Sequence, residues 1–182
     1  MNKLLHRSFP SLQRGTTLLE LLVTISIAAI LMSVAVPSFQ SMMRTNRIAS
    51  VTNEMVRALM LARSEAVSRG LNVSLCNTAN PNADSPSCAG GTWATGWIVF
   101  IDQSPSDGII ANPNQDVLRV GSFNIDGAEI TSSDYPSYLT YVPTGRLNGN
   151  FSGPKVFNVT VDSEQKVVEI ENTGRVRSYD PD

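Results

Sequence analysis

The sequence predicts an α+β protein, with one long amino-terminal helix followed by a head of antiparallel strands. Three observations predict it. Positions 18–36 form an apolar run broken only by Glu20, Thr24, Ser26 and Ser33, and a helix needs about 20 mostly apolar residues to cross a bilayer core. Beyond Pro37 the apolar residues Ile48, Val51, Met55, Ala58, Leu59, Ala62 and Ala66 recur every three or four positions, which is one face of a continuing amphipathic helix. From Leu71 the period changes to two and turn residues punctuate the chain, which is the pattern of strands. A helix followed by a run of strands is an α+β arrangement.

Each element follows in order. Pro37 removes one ladder hydrogen bond and can bend the helix, and Gly70 is a natural stop. Arg44, Arg47, Arg57, Arg63 and Arg69 lie mostly off the apolar face. Such a row can be read as a nucleic-acid stripe but is more often a solvated face. Leu71, Val73 and Leu75 alternate with polar residues in a first strand ending at Cys76. Positions 93–102, with Trp97-Ile98-Val99-Phe100-Ile101, read as a buried strand, and Ser104-Pro105-Ser106-Asp107-Gly108 is turn chemistry. Strands follow at 117–123 and 138–142, the latter ending in Pro143-Thr144-Gly145. Positions 155–161 and 166–170 form a hairpin around Asp162-Ser163-Glu164-Gln165. Adjacent Val156 and Phe157 leave the facing of its first strand open. Arg175-Val176-Arg177 makes a last short strand. No internal repeat or low-complexity tract is read.

Composition narrows the function. The 182 residues, 42% hydrophobic, suit one membrane helix and one modest domain. Removing positions 1–15 takes away three basic residues and no acid, which moves the formal charge from −2 to −5. From Leu71 onward 6 basic side chains face 13 acidic ones. A globally basic nucleic-acid binder is excluded, so any such binding needs a local patch. Cys76 and Cys88 flank a turn-rich stretch. Outside the cytoplasm they are expected to form a disulfide, worth roughly 3 kcal/mol for a loop of about this length. Two free buried thiols are the alternative. The single histidine is His6, so neither a zinc site nor histidine-based catalysis is expected in the remainder, and no cofactor is implied. Asp102, Asp107 and the Asp162-Ser163-Glu164 turn offer carboxylates without a nucleophile–base pair. The chain is not expected to be an enzyme.

The amino terminus carries the sharpest signal. Lys3, Arg7 and Arg14 make the first 14 positions basic, a cytoplasmic flank by the positive-inside rule. Glu20 is costly at the start of a membrane helix unless a partner is found, or unless it snorkels to the interface. Ser33-Val34-Ala35 would suit a secretory signal, but the apolar run is too long and holds an acid. A plain anchor leaves Gly15-Thr16-Thr17-Leu18-Leu19-Glu20 unexplained. That segment resembles the cleavage region of type IV pilin-like precursors. The resemblance implies that prepilin peptidase cuts after Gly15 and methylates the new amino terminus, Thr16. Glu20 and Pro37 then fall at the fifth and twenty-second mature positions, as the family has them. The family's usual first residue is Phe, so Thr16 is a departure. Glu20 would pair with the α-amine of a neighbouring subunit's Thr16, two charges that attract strongly in a low-dielectric filament core. The expected organisation is a leader at 1–15, a transmembrane or filament-core helix at 16–37, an amphipathic helix at 38–70 and a β-rich periplasmic head at 71–182. This is a type IV pilin-like fold, single-pass in a bacterial inner membrane and incorporated into a pilus or pseudopilus with other pilins or pseudopilins.

Four stretches narrow the resemblance: Ala62-Arg63-Ser64-Glu65-Ala66-Val67, Val73-Ser74-Leu75-Cys76, Trp93 with Gly96-Trp97-Ile98-Val99-Phe100, and Tyr141-Val142-Pro143-Thr144-Gly145-Arg146. Together they look like the GspH/FimT family of minor pilins and pseudopilins. GspH-type members serve type II secretion. FimT-type members belong to type IV pili, and some bind DNA in natural transformation through a Gly-Arg-x-Arg motif, here Gly174-Arg175-Val176-Arg177. In a strand, Arg175 and Arg177 would share one face about 6.6 Å apart, and guanidinium groups bind phosphate bidentately. Arg146 and Lys155 could extend the patch if the fold brings them near. Alternatively, the two arginines blunt an exposed edge strand.

Overall fold

The computed structural model describes residues 15–104, 110–123, 125–135, 137–149 and 153–181. The basic flank at 1–14 and turn residues 105–108 lie outside the described residues. The chain divides into two compact units, Met1–Ser41 and Met42–Asp182.

Helix α1, Leu18–Arg69, begins in the first unit and ends in the second, and the chain stays helical through Pro37. In the first unit its apolar side chains are exposed, from Leu18 at 81% to Val36 at 53%. Among the described residues of that unit nothing covers them, and by length and composition the helix can cross a membrane.

In the second unit, α1 buries Ile48, Val51, Thr52, Met55, Ala58, Leu59, Ala62 and Ala66, the stripe that the three- and four-residue spacing predicts. Gly70, at φ +67°, ends the helix with its N–H donating to the Ala66 carbonyl at 3.1 Å, the left-handed stop that glycine permits. Two antiparallel sheets follow. The first comprises β1 (Val73–Asn77), β2 (Trp97–Ile101), β3 (Val117–Gly121) and β5 (Tyr138–Tyr141), in the order β3-β2-β1-β5. The second comprises β4 (Ala128–Thr131), β6 (Lys155–Val161), β7 (Glu164–Ile170) and β8 (Val176–Tyr179), in the order β4-β6-β7-β8. One cluster of buried side chains joins α1 to both sheets, including Leu59, Leu75, Val99, Leu139, Phe157 and Val168. That cluster, both sheets and the disulfide all lie in Met42–Asp182, so this unit carries its own core.

Several strands differ from their sequence reading. Ser74 does not face water. The far face of the first sheet holds a second cluster of Cys76, Ile98 and Phe100, flanked by Cys88, Ile110 and Val117, so every residue of β1 is buried. The Ser74 hydroxyl there donates to the Asp102 carboxylate and lies against the Thr140 hydroxyl. Asp102 also accepts the Ser104 N–H at 3.0 Å. A buried polar group needs such partners, and these tie β1 to β5 and to the end of β2. A disulfide joins Cys76 to Cys88 and pins the intervening loop on this outer face. Trp93 and the residues up to Gly96 precede β2 instead of belonging to it. The indole of Trp93 donates to the Tyr135 carbonyl at 2.8 Å and meets Phe157 edge-on, with centroids 5.1 Å apart. The β6–β7 hairpin turns on Asp162 and Ser163 alone, with Val161 paired to Glu164 and Asp162 at φ 55°. Glu164 and Gln165 therefore belong to β7. In β6, Phe157, Val159 and Val161 face the core, which settles the facing that Val156 and Phe157 left open.

Candidate functional site

Two places bear on function, one in each unit. In the first, Thr17 caps α1. Its hydroxyl accepts the Glu20 N–H at 3.2 Å, and its carbonyl accepts the Leu21 N–H at 3.1 Å. Thr17-Leu18-Leu19-Glu20 has the spacing of a capping box, a signal in the sequence that the motif reading passed over. An acid in the first turn also suits the helix dipole. Within the apolar run, the hydroxyls of Thr24, Ser26 and Ser33 donate to the carbonyls of Leu21, Leu22 and Ile30 at 2.8, 2.8 and 2.7 Å. Satisfied in this way, they carry little penalty in hydrocarbon. Among the described residues of this stretch, Glu20 is the one ionisable group. Gly15 and Thr16 precede the helix, exposed and outside any regular element.

The second place is built from three of the sequence stretches. Thr144-Gly145-Arg146 and Thr173-Gly174-Arg175 fold into the same turn. In one, the Gly145 N–H donates to the Val142 carbonyl at 2.8 Å and the Val142 N–H to the Arg146 carbonyl at 2.9 Å. In the other, the Gly174 N–H donates to Glu171 at 2.8 Å and the Glu171 N–H to Arg175 at 2.9 Å. Both glycines hold left-handed backbone, at φ +77° and +80°, which a three-residue hairpin loop requires at its last position. The turns touch: a Cβ on Gly174 would collide with the Gly145 carbonyl. Arg63 on α1 braces both, its Nε donating to the Gly145 carbonyl and its Nη2 to the Thr173 carbonyl, each at 3.0 Å. Nearby Tyr141 is wholly buried. Burial pushes its phenol upward, partly offset by the charge of Arg63.

This arrangement redraws the cationic patch read from the sequence. Arg175 stands before β8 instead of within it, so strand spacing does not set its distance from Arg177. Arg177 pairs in register with Glu169 across β7–β8. Its Nε donates to Glu169 Oε1 at 2.8 Å, Glu171 stands 3.8 Å away, and Tyr179 Oη donates to Glu169 Oε2 at 3.0 Å. The hydrogen bond to Glu169, then the charge of that carboxylate, hold the Arg177 guanidinium above its usual value. The Glu169 side chain is only 8% exposed, and a carboxylate so buried needs its counter-ion. Lys155 is held by Asp134 at 3.0 Å. Arg146 and Arg175 are exposed, and among the described residues neither has an ion pair. The geometry therefore brings Arg146 to Arg175 and engages Arg177 and Lys155 elsewhere. The repeated Thr-Gly-Arg, missed as a repeat because it is three residues long, was the available signal for the first pairing. Beside the turns runs a groove of about 470 Å³ between Met60, Arg63 and Val67 of α1 and Gly174, Arg175 and Val176.

Comparison with known proteins bears on the family and the fold. Residues 51–174 match a family model described as type II transport protein GspH. Residues 10–36 match the prokaryotic N-terminal methylation motif. The type IV minor pilin FimU of Pseudomonas aeruginosa, in one crystal form, aligns over 74% of this chain and 90% of its own at TM-score 0.57 and 22% identity. A second crystal form aligns over 72% and 91%, at TM-score 0.53 and 22% identity. At that identity the likeness shows the fold. No curated protein matches the chain.

Proposed function

From the premise that this chain belongs to the GspH family of pilin-like proteins, we propose that it is a minor pilin whose head captures DNA by its phosphates at Arg146 and Arg175. The supporting observation is two exposed arginines, without an ion pair among the described residues, on touching turns braced by Arg63. Guanidinium groups bind phosphate oxygens bidentately, and contacts to phosphate carry no base information, so binding is sequence-independent and serves DNA uptake. Prepilin peptidase cuts after Gly15 and methylates Thr16, the exposed apolar half of α1 anchors the chain in the inner membrane with the head in the periplasm, and Glu20 aligns it beside other pilins in the filament.

The test is DNA binding by the Met42–Asp182 unit across a salt series. The wild-type unit is expected to bind weakly, with a log–log salt slope of about −2 for two neutralised phosphates. Arg146→Gln/Arg175→Gln is expected to abolish binding with an unchanged melting temperature. Arg177→Gln is expected to keep the slope and lower the melting temperature, because it strips buried Glu169 of its partner. Equal binding by the double variant would refute the site.

The excess of acids in the head and the description of the matching family model favour a second reading. In that reading the protein is a GspH-type pseudopilin of type II secretion with an assembly role alone, and wild-type protein that fails to bind DNA would establish it over the first. Both readings share the processing step. Gly15→Arg is expected to leave the chain at precursor mobility on co-expression with prepilin peptidase, and a normal shift would place the cut elsewhere.

A further inference from the structure

The Met42–Asp182 unit has two chemically opposite ends, and we infer that the acidic end of one copy docks in the arginine-rimmed groove of the next. The acidic end is formed by two tips. One is the turn at 125–128, closed by the Ala128 N–H donating to the Ile125 carbonyl at 3.3 Å, with Asp126 exposed upon it. The other is the Asp162-Ser163 hairpin tip, followed by Glu164. The two tips adjoin, since a Cβ on Gly127 would stand 3.7 Å from Asp162 Oδ1. Arg47 of α1 stands 3.7 Å from Asp162 Oδ2, and Lys166, two residues beyond Glu164, is held by Asp180 at 2.6 Å.

The basic end holds Arg63, Arg146 and Arg175, while Glu171 is engaged with Arg177 and Glu65 of α1 with Arg69. Beside these arginines Met60 and Val67 are 57% and 55% exposed, an uncovered apolar floor in a groove with a cationic rim. A protruding acidic turn is the complement of such a groove.

Two rulers give the same separation. Arg47 at the acidic end and Arg63 at the basic end are about 24 Å apart along α1. Strand β7, which joins the Asp162-Ser163 tip to the turn after Ile170, spans about 23 Å. The two surfaces therefore lie at opposite ends of the unit along the helix direction. A copy cannot satisfy its own groove, and a contact between two different surfaces is heterologous, so each copy keeps one surface free for a further copy. This interface goes beyond filament membership, since it names which surfaces meet. It covers Arg175 only where a groove is filled, and a copy whose groove is empty keeps Arg175 exposed. It does not depend on DNA binding, which is measured on dilute, monomeric protein.

The experiment mixes two versions of the unit, Ser163→Cys and Ser68→Cys, at millimolar concentration and low salt with a short bismaleimide cross-linker. The expected result is a mixed dimer several-fold above that formed by Ser163→Cys with Asn53→Cys. High salt or Arg175→Glu in the Ser68→Cys copy should suppress it, and Asp126→Arg in the other copy should restore it. A yield no greater than the Asn53→Cys control, or a mixed dimer indifferent to salt and to charge reversal, overturns the inference. So does a predominant dimer of Ser163→Cys with itself, which would mean a symmetric contact.

Discussion

Gly174→Ala is expected to destabilise the Met42–Asp182 unit by about 3 kcal/mol, lowering its melting temperature by roughly 10 °C. Two effects combine. Gly174 sits at φ +80°, where a residue with a Cβ costs about 1–2 kcal/mol. The new Cβ would also run into the Gly145 carbonyl oxygen, which is backbone and already accepts from Arg63. Relief requires the two turns to separate, and that loosens one or both hydrogen bonds of Arg63. Gly70→Ala supplies the comparison. Gly70 has a similar φ of +67°, and a Cβ added there would meet nothing within 4 Å, so that variant should show the backbone cost alone, about 1–2 kcal/mol. If Gly174→Ala melts no lower than Gly70→Ala, the twin turns are not in contact and the phosphate site loses its geometry. If it melts lower and also loses DNA binding at temperatures where it stays folded, the contact positions the arginines.

Periodicity made much of this architecture readable. The buried stripe of α1 is set by apolar residues at helical spacing, and no tertiary fact was needed to find Ile48, Met55 or Ala62. The failures come from contacts whose partners are distant in sequence. Arg63 looks like one more solvated arginine because its acceptors lie 82 and 110 residues away. Arg177 looks free because its pairing with Glu169 depends on the β7–β8 register. Ser74 reads as an outward residue because alternation assumes a solvated face, and the Cys76–Cys88 loop covers that face. Strand β4 went unread because it is four residues long and buries one side chain fully, Ile130, too short a run to show a period. Local pattern fixes which face of an element is apolar. It does not say which charges are already matched, and a charged motif becomes a site only where they are not.

Glu20→Ala is expected to leave membrane insertion intact and to reduce recovery of the protein in sheared filaments by orders of magnitude. The apolar run is unchanged by the substitution, so partitioning into the bilayer should, if anything, improve. What is lost is the attraction between the carboxylate and a neighbouring Thr16 α-amine, about 4 kcal/mol for charges 4 Å apart at an effective dielectric of about 20. That corresponds to a factor of roughly 10³ in an equilibrium. The capping box offers a rival cause, because Glu20 also occupies its acidic position in the first turn of α1. Glu20→Gln separates the two, since glutamine serves in a capping box as glutamate does but carries no charge. If Glu20→Gln is as defective as Glu20→Ala, the charge aligns subunits. If it assembles normally, the residue acts by shaping the start of its own helix, and pairing with Thr16 has no part in assembly.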